Sequence, residues 1–534
     1  MRRVELVAAS AVAIACAVAL GVRAGQDVSW DLRNYHLWAA FALLHGRHRI
    51  DVAPAQLQTW LNPIPYVVPY LLIRAAPPLL ANVVLSAAVG LSGAAVYALA
   101  RRVLAPGGPT GRSVLIAGLA TALGLAGPMV SSQLGGSSFD TLGSLLVLPA
   151  VWLCASAAGD PGRSPWRHVG SGLLVGLATG AKWTFGAYAV GIVAASLVAC
   201  LRGDTRPAAV GWVAAGLAGG AAASGGYWAW RLWQEFGNPV FPFYNGVFGS
   251  RFYPPVDFHD ARFLPGSLGR ALLYPFLWAV GRHPTAEVRF RDARFALIAV
   301  LAVAAVATVG VRRLRSRCGG PRQPVLLPAG WVLAVFFVAS YATWLRLWAI
   351  QRYLATLELL SGVVIAMLVG VLVRRGREGV AILAAVTAGT IAWTIPPSWG
   401  RRPFDASWFA VQTTGPAVAP GTLWLIASGG APVSYVLTEL PRDGRAVRLS
   451  GNMPLGETSG FWSRTRAVVA EHQGPVRTLT AGPRGPSGPE RATVQRLGLE
   501  VDDQACDTFR SNFEPFVTCP VRARPARGGR RRAT

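Results

Sequence analysis

The stretch VSWDLRNYHLWAAFALLHGR, residues 28–47, sets Asp31, Arg33, Asn34 and His36 among apolar and aromatic positions suited to a helix lying on a membrane. On an α-helix Asp31 and Tyr35 share a face at i, i+4, with Leu32 and His36 beside them. A carboxylate next to a bilayer is costly unless it is paired or used. The plain alternative is that Asp31 pairs with Arg33 or caps the helix after Ser29-Trp30. The pattern recurs, however. SSQLGGSSFDTLGSLL brings Asp140 to the entry of a helix, and DFHDARF holds Asp257, His259 and Asp260. Helix capping accounts equally well for Asp140 alone, and a solvated loop imidazole is the plainer reading of His259. Basic groups accompany these acids: Lys182 in GAKWT, Arg251 in GSRFYPP, and Arg346, Arg352 and Tyr353 in WLRLWAIQRYLATLELL, with Glu358 following. Cations at a membrane boundary serve as anchors to lipid phosphate or as a binding site for a phosphate group.

The elements that must position these residues are membrane helices. Of 534 residues 52% are hydrophobic and only 14% charged, with a mean hydropathy of +0.40, whereas a water-soluble domain carries about 25% charged residues. Apolar runs near 4–22, 79–100, 113–130, 142–157, 169–181, 185–201, 208–227, 293–311, 325–345, 353–373 and 379–395 predict eleven transmembrane helices. Lys182 separates the fifth from the sixth, and the proline-broken 63–74 reads as interfacial. The net charge of +26 is no nucleic-acid footprint, because the arginines gather at the ends of apolar runs. Lys182 is the sole lysine among 51 basic residues, so the high charge is largely compositional.

With Arg2 and Arg3 inside, every second loop is arginine-rich: Arg101, Arg102 and Arg112; Arg163 and Arg167; Arg202 and Arg206; Arg312, Arg313, Arg315, Arg317 and Arg322; Arg374, Arg375 and Arg377. The expected topology is therefore a cytoplasmic N-terminus, an uncleaved first helix and an extracytoplasmic C-terminal domain. Residues 1–395 form the transmembrane domain, with outer loops 23–63, 131–141 and 228–292. Residues 396–521 alternate short apolar runs with helical patterns, predicting a small α/β domain, and 522–534 is a basic tail read as disordered. Cys506 and Cys519 are close enough in sequence to pair, which fits an oxidising outer side; Cys318 sits in an arginine-rich loop.

Taken in order, these features resemble the GT-C class of integral membrane glycosyltransferases, which includes the protein O-mannosyltransferases and the aminoarabinose transferase of lipid A. The resemblance rests on Asp31-Leu-Arg-Asn-Tyr35-His36 running to Gly46-Arg47, Phe139-Asp140, Gly180-Ala-Lys182-Trp-Thr184 and Arg352-Tyr353, within residues 1–395. The stretch DVAPAQLQTWLNPIPYVV, with Gln56, Gln58 and Asn62-Pro63, resembles a bacterial subgroup of that type. The resemblance implies attack by an acceptor hydroxyl on a polyprenyl-phosphate sugar, with inversion. Asp31 would be the general base, with Asp140 and His36 at the chemistry. Lys182, Arg352, Tyr353, Tyr35, Arg251 and His259 would bind the substrates. Many members show an adjacent acidic pair in the first loop. Here Asp27 and Asp31 are four apart, which leaves open which is the base. No cofactor is required; a divalent cation between Asp31 and Asp140 would be compatible with this scheme. Implied partners are the lipid-linked sugar, a cell-envelope glycan, lipid or protein acceptor, and membrane lipids.

Two other classes compete. A transporter or flippase of lipid-linked sugars would show internal repeats and mid-membrane charges, and neither is evident here. A non-catalytic assembly protein would need only the tail. A glycan ligase or polymerase would share the architecture, and residues 228–292 hold the seven arginines such an enzyme would want in one outer loop.

Overall fold

A computed structural model describes residues 3–104, 110–159, 165–315, 325–373 and 376–524. The basic tail from 525 onward, Cys318 and loop residues Arg2, Arg163, Arg317, Arg322, Arg374 and Arg375 lie outside the described residues. Each of the eleven apolar runs is a helix: α1 (Arg3–Ala24), α2 (Pro78–Leu104), α3 (Gly111–Leu125), α4 (Ser144–Ala157), α5 (Trp166–Ala181), α6 (Gly186–Leu201), α7 (Ala208–Phe236), α8 (Arg294–Arg315), α9 (Pro328–Leu347), α10 (Ala355–Leu372) and α11 (Arg377–Trp393). Among the described residues eight helical segments are long and apolar enough to cross a membrane; α3, α5 and α11 are shorter, at 15, 16 and 17 residues. The chain is a multi-pass membrane protein, mostly helical, with a small α/β region at its C-terminal end.

Two compact units make up the chain. The first comprises 1–27, 78–227 and 259–404; the second comprises 28–77, 228–258 and 405–534. The first unit therefore runs past the expected boundary at 395, while most of the expected outer loop 23–63 and nearly half of 228–292 belong with the tail.

In the first unit α10 is the central helix, 89% buried over its apolar window, and α2, α3 and α8 pack on it. Arg101 near the end of α2 pairs with Glu5 at the start of α1 (2.7 Å), so these two helices lie antiparallel with matched ends. Glycine sets the approach of α5 to α7. A Cβ on Gly176 would meet the Leu217 backbone, so the helices touch main chain to main chain. Three ionisable side chains, Asp292, Arg294 and Glu358, are buried beside α10. Arg294, fully buried, bonds Asp292 Oδ1 (2.8 Å), Leu123 O (3.0 Å) and Ala126 O (2.7 Å), while Glu358 accepts from the Met129 and Val130 amides (2.9 and 3.2 Å). A two-residue ladder pairs β1 (Gln26–Asp27) antiparallel with β2 (Arg401–Arg402).

The second unit is built on a five-stranded sheet, order β4-β3-β5-β8-β7, from β3 (Leu423–Ile426), β4 (Arg445–Arg448), β5 (Val476–Ala481), β7 (Asp507–Arg510) and β8 (Pro515–Thr518). Strands β4, β3 and β5 are parallel, with α12 (Gly460–Glu471) crossing from β4 to β5, and β8 and β7 continue antiparallel. Strands β6 (Leu499–Val501) and β9 (Val521–Ala523) form a separate antiparallel pair, and α13 (Gly488–Arg496) precedes β6. Cys506 and Cys519 are joined in a disulfide, as their spacing suggested.

The first expected outer loop is stitched into this sheet. Val52 N donates to Ala446 O (2.8 Å) and Arg448 N to Val52 O (3.0 Å), so residues around Val52 cover the outer edge of β4. Arg47 bonds Asp51 (2.6 Å), Arg442 O (2.8 Å) and Gly444 O (2.7 Å). Burial raises the Asp51 carboxyl above its usual range against the opposing pull of Arg47. Gln56 Oε1 accepts from Asn452 N (3.0 Å). The glutamine-rich stretch thus has a structural job that the sequence reading had not assigned to it.

Candidate functional site

Four of the residues singled out in the sequence meet at one end of the first unit. Asp140 lies in the short turn that starts α4, capped by Ser138, whose hydroxyl accepts from the Asp140 amide (3.4 Å). Lys182 sits where α5 breaks: its backbone is extended, and a 3-10 turn at Trp183–Phe185 then leads into α6. These two turns are fixed against one another by Phe139 and Phe185, whose rings lie 5.4 Å apart, and a side chain at Gly143 would strike the Phe185 ring. Arg352 and Tyr353 form the turn before α10.

The charges then fall into contact. Lys182 Nζ is 2.5 Å from Asp140 Oδ1, and Arg352 Nε is 4.0 Å from Asp140 Oδ2. The Asp140 side chain is 2% exposed, that of Lys182 16% and that of Arg352 22%, so the acid is at the bottom and the cations are at the rim. Lys182 Nζ lies 4.9 Å above the Tyr353 ring, and the Arg352 guanidinium 5.5 Å from it and 5.9 Å from the Trp399 ring. Tyr188 donates to Tyr353 O (2.5 Å), which holds that turn. One carboxylate thus serves two cations of different shape on an aromatic floor.

Asp27 belongs to the same unit. It is buried in β1, opposite Arg401, and a Cβ on Gly136 would lie 3.0 Å from its Oδ2. The loop 131–141 therefore touches Asp27 four residues before it presents Asp140. Arg401 braces that loop by donating to Ser132 O (2.7 Å) and Leu134 O (2.8 Å). Neither Arg401 nor Trp399 was expected in the site. Their signal was the run SWGRR just past α11.

Asp31, Tyr35 and His36 lie in the second unit, in a turn the sequence pattern did not foresee. Residues Leu32–His36 form one π-helical turn in which Leu37 N donates to Leu32 O, five residues back. The i, i+4 relation expected of Asp31 and Tyr35 therefore does not apply. Asp31 is half-buried at the start of the turn. His36 stacks on Tyr66 (4.1 Å, 15°), and Tyr35 stands edge-on to both rings at 4.4 and 5.4 Å, with both side chains buried. In this geometry Tyr35 and His36 pack the core of the turn. Arg33 turns away to Glu514 (3.2 Å).

DFHDARF is divided. Asp257, in the second unit, accepts from the Gly246 amide (3.2 Å). His259 is exposed in the first unit, where Arg262 (2.6 Å) holds the Asp260 carboxyl below its usual range. Arg251 lines a separate cleft of the second unit with Arg464 and Glu235.

No family model and no curated protein sequence matches the chain. A solved structure, that of ArnT from Cupriavidus metallidurans bound to undecaprenyl phosphate, aligns over 97% of this chain and 98% of that one, at 14% identity and a TM-score of 0.43. The likeness is distant.

Proposed function

We propose that the protein is a membrane glycosyltransferase that moves a sugar from a polyprenyl-phosphate donor to an acceptor hydroxyl on the outer face of the membrane, with inversion. The observation that carries this reading is the Asp140–Lys182–Arg352 group over Tyr353. A departing polyprenyl phosphate needs fixed positive charge where its own charge grows, and a half-buried lysine and arginine held by one acid supply it without reorganising. Asp140 is a positioning residue: it draws Lys182 Nζ to one place. Asp31, half-buried at the start of its turn, is the general base, a role worth about 10²–10⁴-fold in rate. In this scheme the acceptor oxygen attacks the anomeric carbon as its proton passes to Asp31, and the C–O bond to phosphate breaks with the electron pair leaving on the phosphate. No divalent ion is needed, because Asp140 already faces two cations that would repel one. Transfer is accordingly expected to survive EDTA.

The test uses the purified protein in vesicles, a radiolabelled polyprenyl-phosphate sugar and a cell-envelope extract as acceptor source. Wild type should release polyprenyl phosphate and label the extract. Asp31→Asn should lose transfer while still binding undecaprenyl phosphate. If Asp31→Asn keeps wild-type turnover and Asp27→Asn loses it, Asp27 is the base. Donor crossing the bilayer unchanged, with no transfer, would replace the enzyme reading with transport.

A further inference from the structure

The second unit contains a cleft of about 790 Å³ that the transfer scheme does not use, within the ~300–1,000 Å³ range of small-molecule sites. Its walls are Phe236, Phe248 and Phe252, and its charged lining residues are Glu235, Arg251 and Arg464. The two arginines come from different elements and converge on one ring. The Arg251 guanidinium lies 5.4 Å from the Phe252 centroid and that of Arg464, on α12, lies 5.6 Å from it. Both are held by their surroundings. Gly460 N, at the start of α12, donates to Arg251 O (3.0 Å), and a Cβ on Gly460 would lie 2.8 Å from the Phe252 ring, so only glycine lets the helix start there.

The charges do not cancel. Arg464 is paired with Glu235 (2.5 Å), whereas among the described residues no carboxylate pairs with Arg251. The lining therefore carries one net positive charge beside an aromatic wall. A second observation points to a ligand independently of charge. Ser250 lines the cleft, is 7% exposed, and its hydroxyl has no hydrogen-bond partner among the described residues. A buried hydroxyl left unsatisfied costs on the order of 1–3 kcal/mol, and a hydrogen-bonding ligand would remove that cost.

We propose that this cleft binds a phosphodiester-linked headgroup: one negative charge on Arg251, hydroxyls toward Ser250 and an apolar portion against the phenylalanines. A single net charge in the cleft matches the single charge of a phosphodiester, and Glu235 weakens the site by occupying Arg464. This goes beyond the transfer reading and stands without it, since the binding is measured with no sugar donor present.

The experiment titrates the full-length protein in detergent with dihexanoyl phosphatidylglycerol below its micelle concentration, with dihexanoyl phosphatidylcholine and inorganic phosphate as comparisons. Wild type should bind the phosphatidylglycerol in preference to both. Arg251→Gln should weaken it about tenfold or more, the loss expected for one charged hydrogen bond. Glu235→Gln should tighten it, because Arg464 is released to the ligand; a purely structural role for the Glu235–Arg464 pair would not produce a gain. If Arg251→Gln does not fold, Glu235→Gln decides alone. Equal binding of phosphatidylcholine would make the cleft merely apolar. Equal binding of inorganic phosphate would make it a site for the free anion. Unchanged affinity in either folded variant would overturn the assignment.

Discussion

Asp140→Asn and Lys182→Met, made singly and together, test whether the acid serves the lysine or the fold. Asp140 sees Lys182 at 2.5 Å and Arg352 at 4.0 Å. With an effective dielectric near 20, these attractions are worth about 7 and about 4 kcal/mol before desolvation. After Lys182→Met, Asp140 keeps a little over a third of its attraction, through Arg352. After Asp140→Asn, Lys182 and Arg352 lose their shared anion together. Removing one partner of a buried pair costs about 3–5 kcal/mol, and Asp140→Asn should sit at the upper end of that range with Lys182→Met below it. The double variant should cost less than the two singles combined, because each single strands a charge that the double removes. Thermal unfolding in one detergent ranks the three. Undecaprenyl phosphate affinity then separates positioning from mere stability: Lys182→Met should weaken binding, while Asp140→Asn, which removes an anion beside the cation, should strengthen it although it destabilises the protein. Wild-type affinity in folded Lys182→Met would refute the idea that Lys182 meets the phosphate.

Two further outcomes follow from the second unit. His48 lies between Trp38 (5.0 Å) and Trp228 (4.8 Å), both ring nitrogens without a partner among the described residues, and burial pushes its pKa down to about 3. The unfolded chain binds a proton there below about 6.5 and the folded one does not until about 3, so stability is complete above 6.5 and falls by up to ~1.4 kcal/mol per pH unit beneath it; His48→Phe should flatten the pH dependence of thermal unfolding relative to wild type, and identical slopes would refute this. Cys506→Ser should lower stability by about 3 kcal/mol, the chain-entropy value for a loop of roughly 14 residues, and in unreduced intact cells neither cysteine should react with an impermeant thiol reagent until a reductant is added; labelling that requires permeabilised membranes would place the C-terminal domain inside.

The eleven helices were legible because each apolar run is a local signal, and bilayer thickness turns length directly into structure. The break at Lys182 was legible too, since a lone charge between two glycine- and alanine-rich runs has no favourable place inside a helix of either. What the sequence concealed depends on distant partners. Nothing near Gln56 or Asp51 indicates that they bond Asn452 and Ala446, some 400 residues on, and so the first outer loop was assigned to the membrane domain rather than to the sheet. The π-helical turn at Leu32–His36 escaped for a related reason: periodicity can distinguish 3.6 from 2 residues per repeat, but not one additional residue in a single turn. His36 stands at the chemistry only through the resemblance of Asp31-Leu-Arg-Asn-Tyr35-His36 to the glycosyltransferase class. Its stack on Tyr66, thirty residues away, gives it another use.

In this composition the presence of arginine says little, since it outnumbers lysine fifty to one; what each guanidinium faces says more. Arg294 spends its donors on Leu123 O, Ala126 O and Asp292, Arg401 on Gly25 O, Ser132 O and Leu134 O, and Arg448 on Ser450 O, Gly429 O and Ala431 O. Each of these arginines satisfies carbonyls where a helix or strand has run out of amide partners, a service that any chain ending buried elements must obtain from somewhere. Arg352 and Arg251 are spent differently. One shares a carboxylate with a lysine at 4.0 Å and lies over two aromatic rings; the other lies beside a phenylalanine in an open cleft. A shared acid and two rings hold the first in place, and a ring holds the second. That is the arrangement required of a group whose proper partner, an anionic oxygen, arrives with a ligand.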